Sequence, residues 1–450
     1  MSGPPVRRPP RAGGYLGRDL VGATIYVGLL SSVALWWLDT PARSLNNRGE
    51  LLIAAGRITG LAAGYLLLVT VALRSRVGLL ERFVGSEALG RWHRELGGAL
   101  VVAILGHAAL ILVGYAALDD LPFPQELNVL MTEYEDMTSA IVAVGILVGI
   151  GLLAIRAVRT VMPYELWKFL HLASYVVLLL AYGHQFADGQ QLFRPGPART
   201  YWIGLYVAVL ACLAWGRVVG PLIFNLGHGF RVADVVQEGP DIVSIYLSGR
   251  RLRQTGRAGQ FFRWRFLARG VWTQAHPFSL SAAPDGRRLR ITVKAVGDYT
   301  RRLKAIPPGT RVIAEGPFGV FTTAARRRPR VALIAGGVGI TPIRALLEDM
   351  PGSPGDITVV YRALQPEDVI LRHELDEIAA RRGAVVHYVL GDHRGDASLL
   401  SPQHLQQLIP DIAERDVYLC GPPAMTEATR ASLDRSGVSR RHIYTERFAF

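Results

Sequence analysis

Four histidines stand in the first half of the chain, and their spacing is the first chemistry the sequence offers. His93, His107, His171 and His184 are the only histidines before residue 221, and two apolar stretches carry two each. A neutral imidazole is a common axial ligand of haem iron, and an ionisable side chain inside an apolar span is costly unless it faces the bundle interior and finds a partner. His93 and His107 are fourteen residues apart, which is about 21 Å of helical rise and within about 40° of one face. His171 and His184 are thirteen apart, about 20 Å of rise, but an ideal helix turns the second about 140° away from the first. A bulge or kink near Gly183, or ligation from different edges of the helix, is required to bring both to one side. The plain alternative is that each imidazole hydrogen-bonds to a neighbouring helix. Paired across two helices, His93 with His171 and His107 with His184, they make two bis-histidine sites, one above the other. Six-coordinate iron keeps no open position, so such sites relay electrons and the acceptor is reduced at a haem edge.

Helices must hold these residues. Apolar runs lie at 20–38, 51–73, 95–118, 138–155, 169–187 and 201–220, each near the roughly 20 residues that cross a hydrocarbon core. Arg7, Arg8, Arg11 and Arg18 precede the first run, Arg74, Arg76, Arg82, Arg91 and Arg94 follow the second, and Arg156, Arg159 and Lys168 separate the fourth and fifth. Those segments are expected on the cytoplasmic side. The stretch 119–136 has no Lys or Arg and carries Asp119, Asp120, Glu126, Glu133, Glu135 and Asp136, which suits the outside. Six spans return the chain to the cytoplasm, so both termini are expected there. Residues 1–18 read as a disordered basic tail. Arg57, inside the second span, either meets a haem propionate or an anionic product, or snorkels to the headgroups.

From Phe230 onward the pattern changes to short strands and turns, at Arg231–Val236, Ile242–Leu247, Gln260–Phe266, Leu289–Val296 and Thr310–Glu315, and a small antiparallel barrel is expected. It contains His276-Pro277-Phe278-Ser279, with Lys294 and Thr300 after it. An extended strand of this kind lays backbone amides and the Ser279 hydroxyl along a flavin, Phe278 covers its carbons, and nearby Lys and Arg residues meet the pyrophosphate. The buried-strand pattern Arg330–Ala335 then runs into Gly336-Gly337-Val338-Gly339-Ile340-Thr341-Pro342 and a helix. Glycines admit a close backbone approach, and a helix N-terminus faces a dinucleotide pyrophosphate. Another strand ends at Cys420-Gly421-Pro422, which places Cys420 at a carboxyl edge where open α/β sheets bind ligands, or makes it a small core residue. Arg362 stands where an acidic residue would grip ribose hydroxyls, and so favours NADPH over NADH. Phe450 ends the chain, either stacked on the flavin or as an apolar anchor.

Composition limits the alternatives. Half of the 450 residues are hydrophobic and 19% are charged, and the formal net charge is +14. The arginines are dispersed and flank apolar runs, so membrane topology accounts for them and nucleic acid does not. Two cysteines, Cys212 and Cys420, exclude a disulfide framework and a four-thiolate iron–sulfur cluster.

These elements together resemble the NADPH oxidase and ferric reductase superfamily over nearly the whole chain. The likeness rests on the two histidine spacings, His276–Leu280, Gly336–Pro342, Cys420–Pro422 and the terminal Phe450. It implies a multi-domain chain: a six-helix transmembrane di-haem domain at 19–221, an FAD-binding β-barrel at 228–325 and a Rossmann-like NAD(P)-binding α/β domain at 328–450. It further implies that His276, Pro277, Phe278 and Ser279 bind FAD, that Gly336, Gly337 and Gly339 cradle the NAD(P) phosphates, that Cys420 lies by the hydride-transfer site, and that Phe450 covers the isoalloxazine until nicotinamide displaces it. Arg57 matches an arginine that family members place near the outer haem. The expected cofactors are FAD, NADPH or NADH, and two b-type haems in a bacterial-type plasma membrane. The expected acceptor is oxygen or a ferric complex, or else the chain is an electron-donor subunit feeding an extracytoplasmic protein partner or a quinone-linked system.

Overall fold

The computed structural model describes residues 14–39, 47–392, 396 and 398–447. Most of the expected basic tail and the whole of Phe450 lie outside them. The first helix begins at Gly14, inside the stretch read as disordered, because Tyr15, Leu16 and Leu20 already continue its apolar pattern.

Among the described residues, six helices are long and apolar enough to cross a membrane: Gly17–Leu38, Arg48–Leu73, Ala88–Asp119, Met137–Ala154, Glu165–Ala187 and Pro197–His228. Small residues let the second and third spans approach closely. A Cβ on Gly49 would lie 2.9 Å from the Gly114 carbonyl, and one on Gly56 2.9 Å from Ile111. The sixth helix runs on past the expected end at residue 220. A π-turn at Trp215–Val219 leads into Gly220–His228. The wide turn gives the Pro221 ring room in place of a clash with the preceding carbonyls, so the proline does not end the helix.

The spans from Leu16 to Val218 form one compact unit, and the chain from Val219 onward forms the other. The second unit starts with strands β1 Arg231–Gly239, β2 Ile242–Ser248, β3 Phe261–Phe266, β4 His276–Ser279, β5 Leu289–Lys294 and β6 Val312–Phe318. They pair antiparallel as two three-stranded sheets, β1-β2-β5 and β4-β3-β6, bridged at Arg231/Arg311 and Leu280/Ile291. Ile245, Phe262, Trp264, Phe266, Leu280 and Ile291 fill the space between them with no exposed surface.

Next come β7 Val331–Gly336, β8 Ile357–Ala363, β9 Val385–Leu390, β10 Asp416–Gly421 and β11 Ile443–Arg447. All are parallel, in the order β11-β10-β7-β8-β9. The order reverses between β7 and β10, and the carboxyl ends of those two strands are where a doubly wound sheet leaves a ligand crevice.

Candidate functional sites

The third span carries His93 and His107 on one helix, Ser86–Asp119. The fifth is broken: one helix ends at His171 and the next starts at Ser174. Between them Leu172 (φ −64, ψ −19) and Ala173 (φ −59, ψ −15) are close to 3₁₀ geometry. The amides of Leu172, Ala173, Tyr175 and Val176 reach back three residues, to Phe169, Leu170, Leu172 and Ala173, that of Leu172 being shared with the Lys168 carbonyl. Each 3₁₀ residue turns about 120° where an α-helical one turns about 100°, so the break reduces the misalignment. The distortion expected near Gly183 therefore lies directly after His171, and it brings both imidazoles toward the third span.

The rings of His93 and His171 have centroids 6.0 Å apart, and those of His107 and His184 are 6.4 Å apart. Two imidazoles bonded to one iron at about 2 Å each place their centroids roughly 6 Å apart, so both pairs fit a bis-histidine haem. The second span sets the tautomers. His93 Nδ1–H donates to the Thr70 carbonyl at 3.0 Å and His107 Nδ1–H to the Gly56 carbonyl at 2.7 Å, leaving each Nε2 lone pair for a metal. The Thr70 carbonyl is available because the span ends there: the Arg74 amide bonds Val71 instead. His107 relies on space, since a Cβ on Gly60 would lie 2.6 Å from its Nδ1. His171 is further held by stacking on Trp167, 5.0 Å away and 13° from parallel. Thr70, Gly56, Gly60 and Trp167 escaped the sequence reading. Only the glycine spacing of the second span signalled a close approach.

In the barrel, β4 lies along β3 with Phe278 opposite Phe262 and Ser279 opposite Phe261. The Trp264 indole N–H donates to the Phe278 carbonyl at 3.1 Å and fixes the strand. Ser279 is buried, yet its hydroxyl has no partner, and the buried Tyr299 hydroxyl has none either. Orphaned polar groups of this kind are costly, and a flavin carrying carbonyl and ring-nitrogen groups would satisfy them. The residues present therefore fit FAD. Tyr299 stacks on His276 at 4.0 Å and is a binding candidate the sequence reading did not single out. Thr300 has a local partner: its hydroxyl accepts from the Gly297 amide and donates to the Gly297 carbonyl, and so caps its own helix, Asp298–Leu303. Lys294 stands exposed at the end of β5, and Pro277 is exposed on β4.

At the β7–β10 reversal each glycine has its own task. A Cβ on Gly336 would meet Met425 and Pro422, and one on Gly339 would lie 2.3 Å from the Cys420 carbonyl. These two let the strand ends close together. Gly337 has φ +52 and open space where a Cβ would be, which suits a dinucleotide phosphate approaching the backbone. Thr341 and Pro342 are buried in the helix Ile340–Asp349, where the Thr341 hydroxyl donates to Val338 at 3.0 Å. Gly421 and Pro422 form the facing turn. Cys420 is fully buried, and burial with the nearby Glu446 charge pushes its thiol well up, so it is a neutral thiol. Arg362 is buried and donates to the carbonyls of Ala363 and Val389.

An ion-pair brace joins barrel and α/β sheet. Arg290 on β5 grips both oxygens of Glu374 at 2.7 and 3.0 Å, Arg344 reaches the same carboxylate at 2.9 Å, and Glu348 accepts the Ala283 amide at 2.8 Å. Burial alone would raise Glu374, but Arg290 and Arg344 outweigh it and hold the carboxyl below its usual range.

Comparison with known proteins agrees with this arrangement. Residues 59–182 match the ferric reductase like transmembrane component, residues 228–322 an FAD-binding domain and residues 333–431 an oxidoreductase NAD-binding domain. In this order they give the chain the NADPH oxidase and ferric reductase architecture, a transmembrane component followed by FAD- and NAD-binding domains. Among curated relatives, an NADH-cytochrome b5 reductase-like protein of Emericella nidulans is 32% identical over 183 residues, 38% of this chain and 39% of that protein. A glycine betaine monooxygenase reductase subunit of Chromohalobacter salexigens is 26% identical over 239 residues, 50% of this chain and 65% of that one. The chain thus spans less than two thirds of either relative. The FAD/NAD-binding domain of a Vibrio cholerae nitric oxide dioxygenase aligns with 49% of the chain and 98% of its own length, at 23% identity and a TM-score of 0.41.

Proposed function

We propose that this protein moves electrons across a membrane, from NAD(P)H through FAD and two b-type haems to an acceptor on the opposite face. The observation that carries the reading is the pair of histidine couples at 6.0 and 6.4 Å, each tuned by a carbonyl of the second span. FAD, when bound, takes a hydride from the nicotinamide and releases electrons one at a time to iron. The residues supply placement. Gly337 opens the turn for the dinucleotide, Ser279 and Tyr299 turn hydroxyls to the flavin, and the buried Cys420 backs the β10 edge as a neutral thiol. His93 with His171 would hold one haem, and His107 with His184 the other.

The arginines between spans two and three and between four and five support a cytoplasmic location for those loops and for both termini, in a bacterial-type plasma membrane. Electrons moving outward then gain about 2.3 kcal/mol per 100 mV of membrane potential. Oxygen, giving superoxide, and ferric complexes are the candidate acceptors. A second reading, an electron-donor subunit serving an extracytoplasmic protein, has the monooxygenase reductase subunit among the relatives in its favour. The test is an anaerobic optical titration of the purified protein with NADH or NADPH. Reduction of all bound haem through the flavin supports the proposal, and haem that stays oxidised beside reduced flavin refutes it.

A further inference from the structure

The brace between barrel and α/β sheet is the middle of a longer chain of hydrogen bonds. Its barrel end is Ser281, two residues past Ser279 of β4. The Ser281 hydroxyl accepts from Arg290 Nε at 3.1 Å and from the Thr292 hydroxyl at 2.8 Å, and the Ser281 carbonyl accepts from Arg290 Nη2 at 2.8 Å. Thr292 pairs in turn with the Ser244 hydroxyl at 2.9 Å. All four side chains are buried, and a buried polar network with its members paired is stiff. The same Arg290 guanidinium forks onto both oxygens of Glu374, which fixes direction as well as distance. Glu374 also accepts from Arg344. Arg344 stands five residues past Gly339, on the helix Ile340–Asp349 that follows the glycine turn. It reaches Glu348 too, which accepts the Ala283 amide. One network therefore runs from the strand at the flavin site to the helix at the dinucleotide site.

The two domains also meet along an apolar seam. Ala258 and Phe321 pack in one cluster with Leu346, and a Cβ on Gly259 would lie 1.8 Å from the Phe321 carbonyl and 3.2 Å from Leu346. Contact along one line leaves rotation about that line, and a tie placed off it removes the freedom. Arg344 and Leu346 are two residues apart on one helix, about 200° around its axis, so the brace lies off the seam. Beside it opens a cavity of about 340 Å³, lined by Tyr246 and Ala282 from the barrel and by Ile378 and Arg381 from the helix Arg372–Arg382. Packing leaves a gap there, and the ion pairs span it.

We propose that Arg290 and Glu374 are positioning residues for hydride transfer, holding β4 and the helix after the glycine turn at one angle so that a nicotinamide on that turn meets the flavin at reacting distance. This rests on the NAD(P)H-to-flavin half of the proposed function and not on the haems. Arg290 acts through Ser281, and Glu374 acts through Arg344. A misplacement of about 1 Å at a reacting centre costs up to roughly a hundredfold in rate, so the loss of one tie is read in the hydride step.

The test has two readouts on the full-length protein in nanodiscs. The first needs no nucleotide: spin labels on Val236→Cys in β1 and Gln407→Cys in the α/β domain, both exposed positions, report the distance between the two domains. Cys212→Ser removes the partly exposed native thiol, and Cys420 is buried. The labelled parent should give one narrow distance distribution, broadened roughly twofold by Glu374→Gln and less by Arg290→Lys, which keeps the charge without the fork. The second is NADH oxidation per bound flavin with ferricyanide as final oxidant, one NADH reducing two ferricyanide ions and releasing one proton. Glu374→Gln should lower kcat by roughly tenfold with KM for NADH within about twofold, and the isotope effect of NADH deuterated at the transferred position should rise, with Arg290→Lys between it and the parent. Partial unfolding alone would lower kcat and leave the isotope effect where it was. A broad distribution in the parent, an unchanged one in both variants, or a lowered kcat with an unchanged isotope effect would overturn the positioning role. Haem that stays oxidised in the parent while both readouts behave as expected would overturn the proposed function and leave this role standing.

Discussion

The two histidine levels reach one ligand geometry by different means. At the His93 level the tuning carbonyl, Thr70, is free because a helix ends, and the partner His171 is turned inward by a 3₁₀ break and stacked on Trp167. At the His107 level the carbonyl of Gly56 lies within a continuous helix, and room for the ring comes from Gly60. One site is built from chain termini and the other from missing side chains. The lesson is that the first should tolerate crowding and the second should not.

The largest expected effect breaks that comparison at one level alone. Gly60→Leu would drive a side chain into the His107 ring, so about half of the bound haem should be lost while the His93 site keeps its spectrum, as read by haem quantification and absorbance. Trp167→Ala should do less, keeping both haems and shifting the midpoint potential of the His93/His171 site only, in a redox titration.

The reductase half offers a contrast of another kind, because its site is marked by unsatisfied groups and not by ligands. Ser279→Ala should weaken FAD retention by roughly tenfold, measured by flavin release on dilution, and leave the apo-protein unchanged or more stable by about 1 kcal/mol, since an orphaned hydroxyl is removed. If Ser279→Ala destabilises the apo-protein, the hydroxyl is a structural group. Glu374→Gln would loosen the brace and cost about 2 kcal/mol of reductase stability. Its pH sign follows from the depressed carboxyl: the contribution is fully present above the ordinary glutamate range near pH 4.3 and is lost as pH falls through the lower folded value. Thermal unfolding of the wild type should therefore lose stability below that range, and Glu374→Gln should lack that part of the loss. The smallest effect is expected for Arg362→Gln, whose partners are backbone carbonyls. NADH turnover should change by less than about twofold.

Much of this was legible because apolar length and histidine position are one-dimensional signals. Six spans, the β4 strand around His276 and the glycine turn after β7 follow from pattern alone. The 3₁₀ break after His171 was not, since Leu172 and Ala173 are ordinary helix formers and only the pairing across the bundle selects their geometry. The sixth helix passed its expected end because a π-turn accommodates Pro221, a tertiary choice that composition does not encode. Thr300 was read as a cofactor group when its nearest duty, capping its own helix, satisfies it locally. Glu126 was read only as one of the acids of an outside stretch, and its burial is visible only in three dimensions.

The central claim is tested most directly by counting haem per polypeptide in matched preparations. The account predicts two in the wild type, one after His93→Ala with His171→Ala, and one after His107→Ala with His184→Ala, each remaining haem keeping a low-spin bis-histidine spectrum. A single haem in the replete wild type, or undiminished absorbance in either double variant, would contradict it.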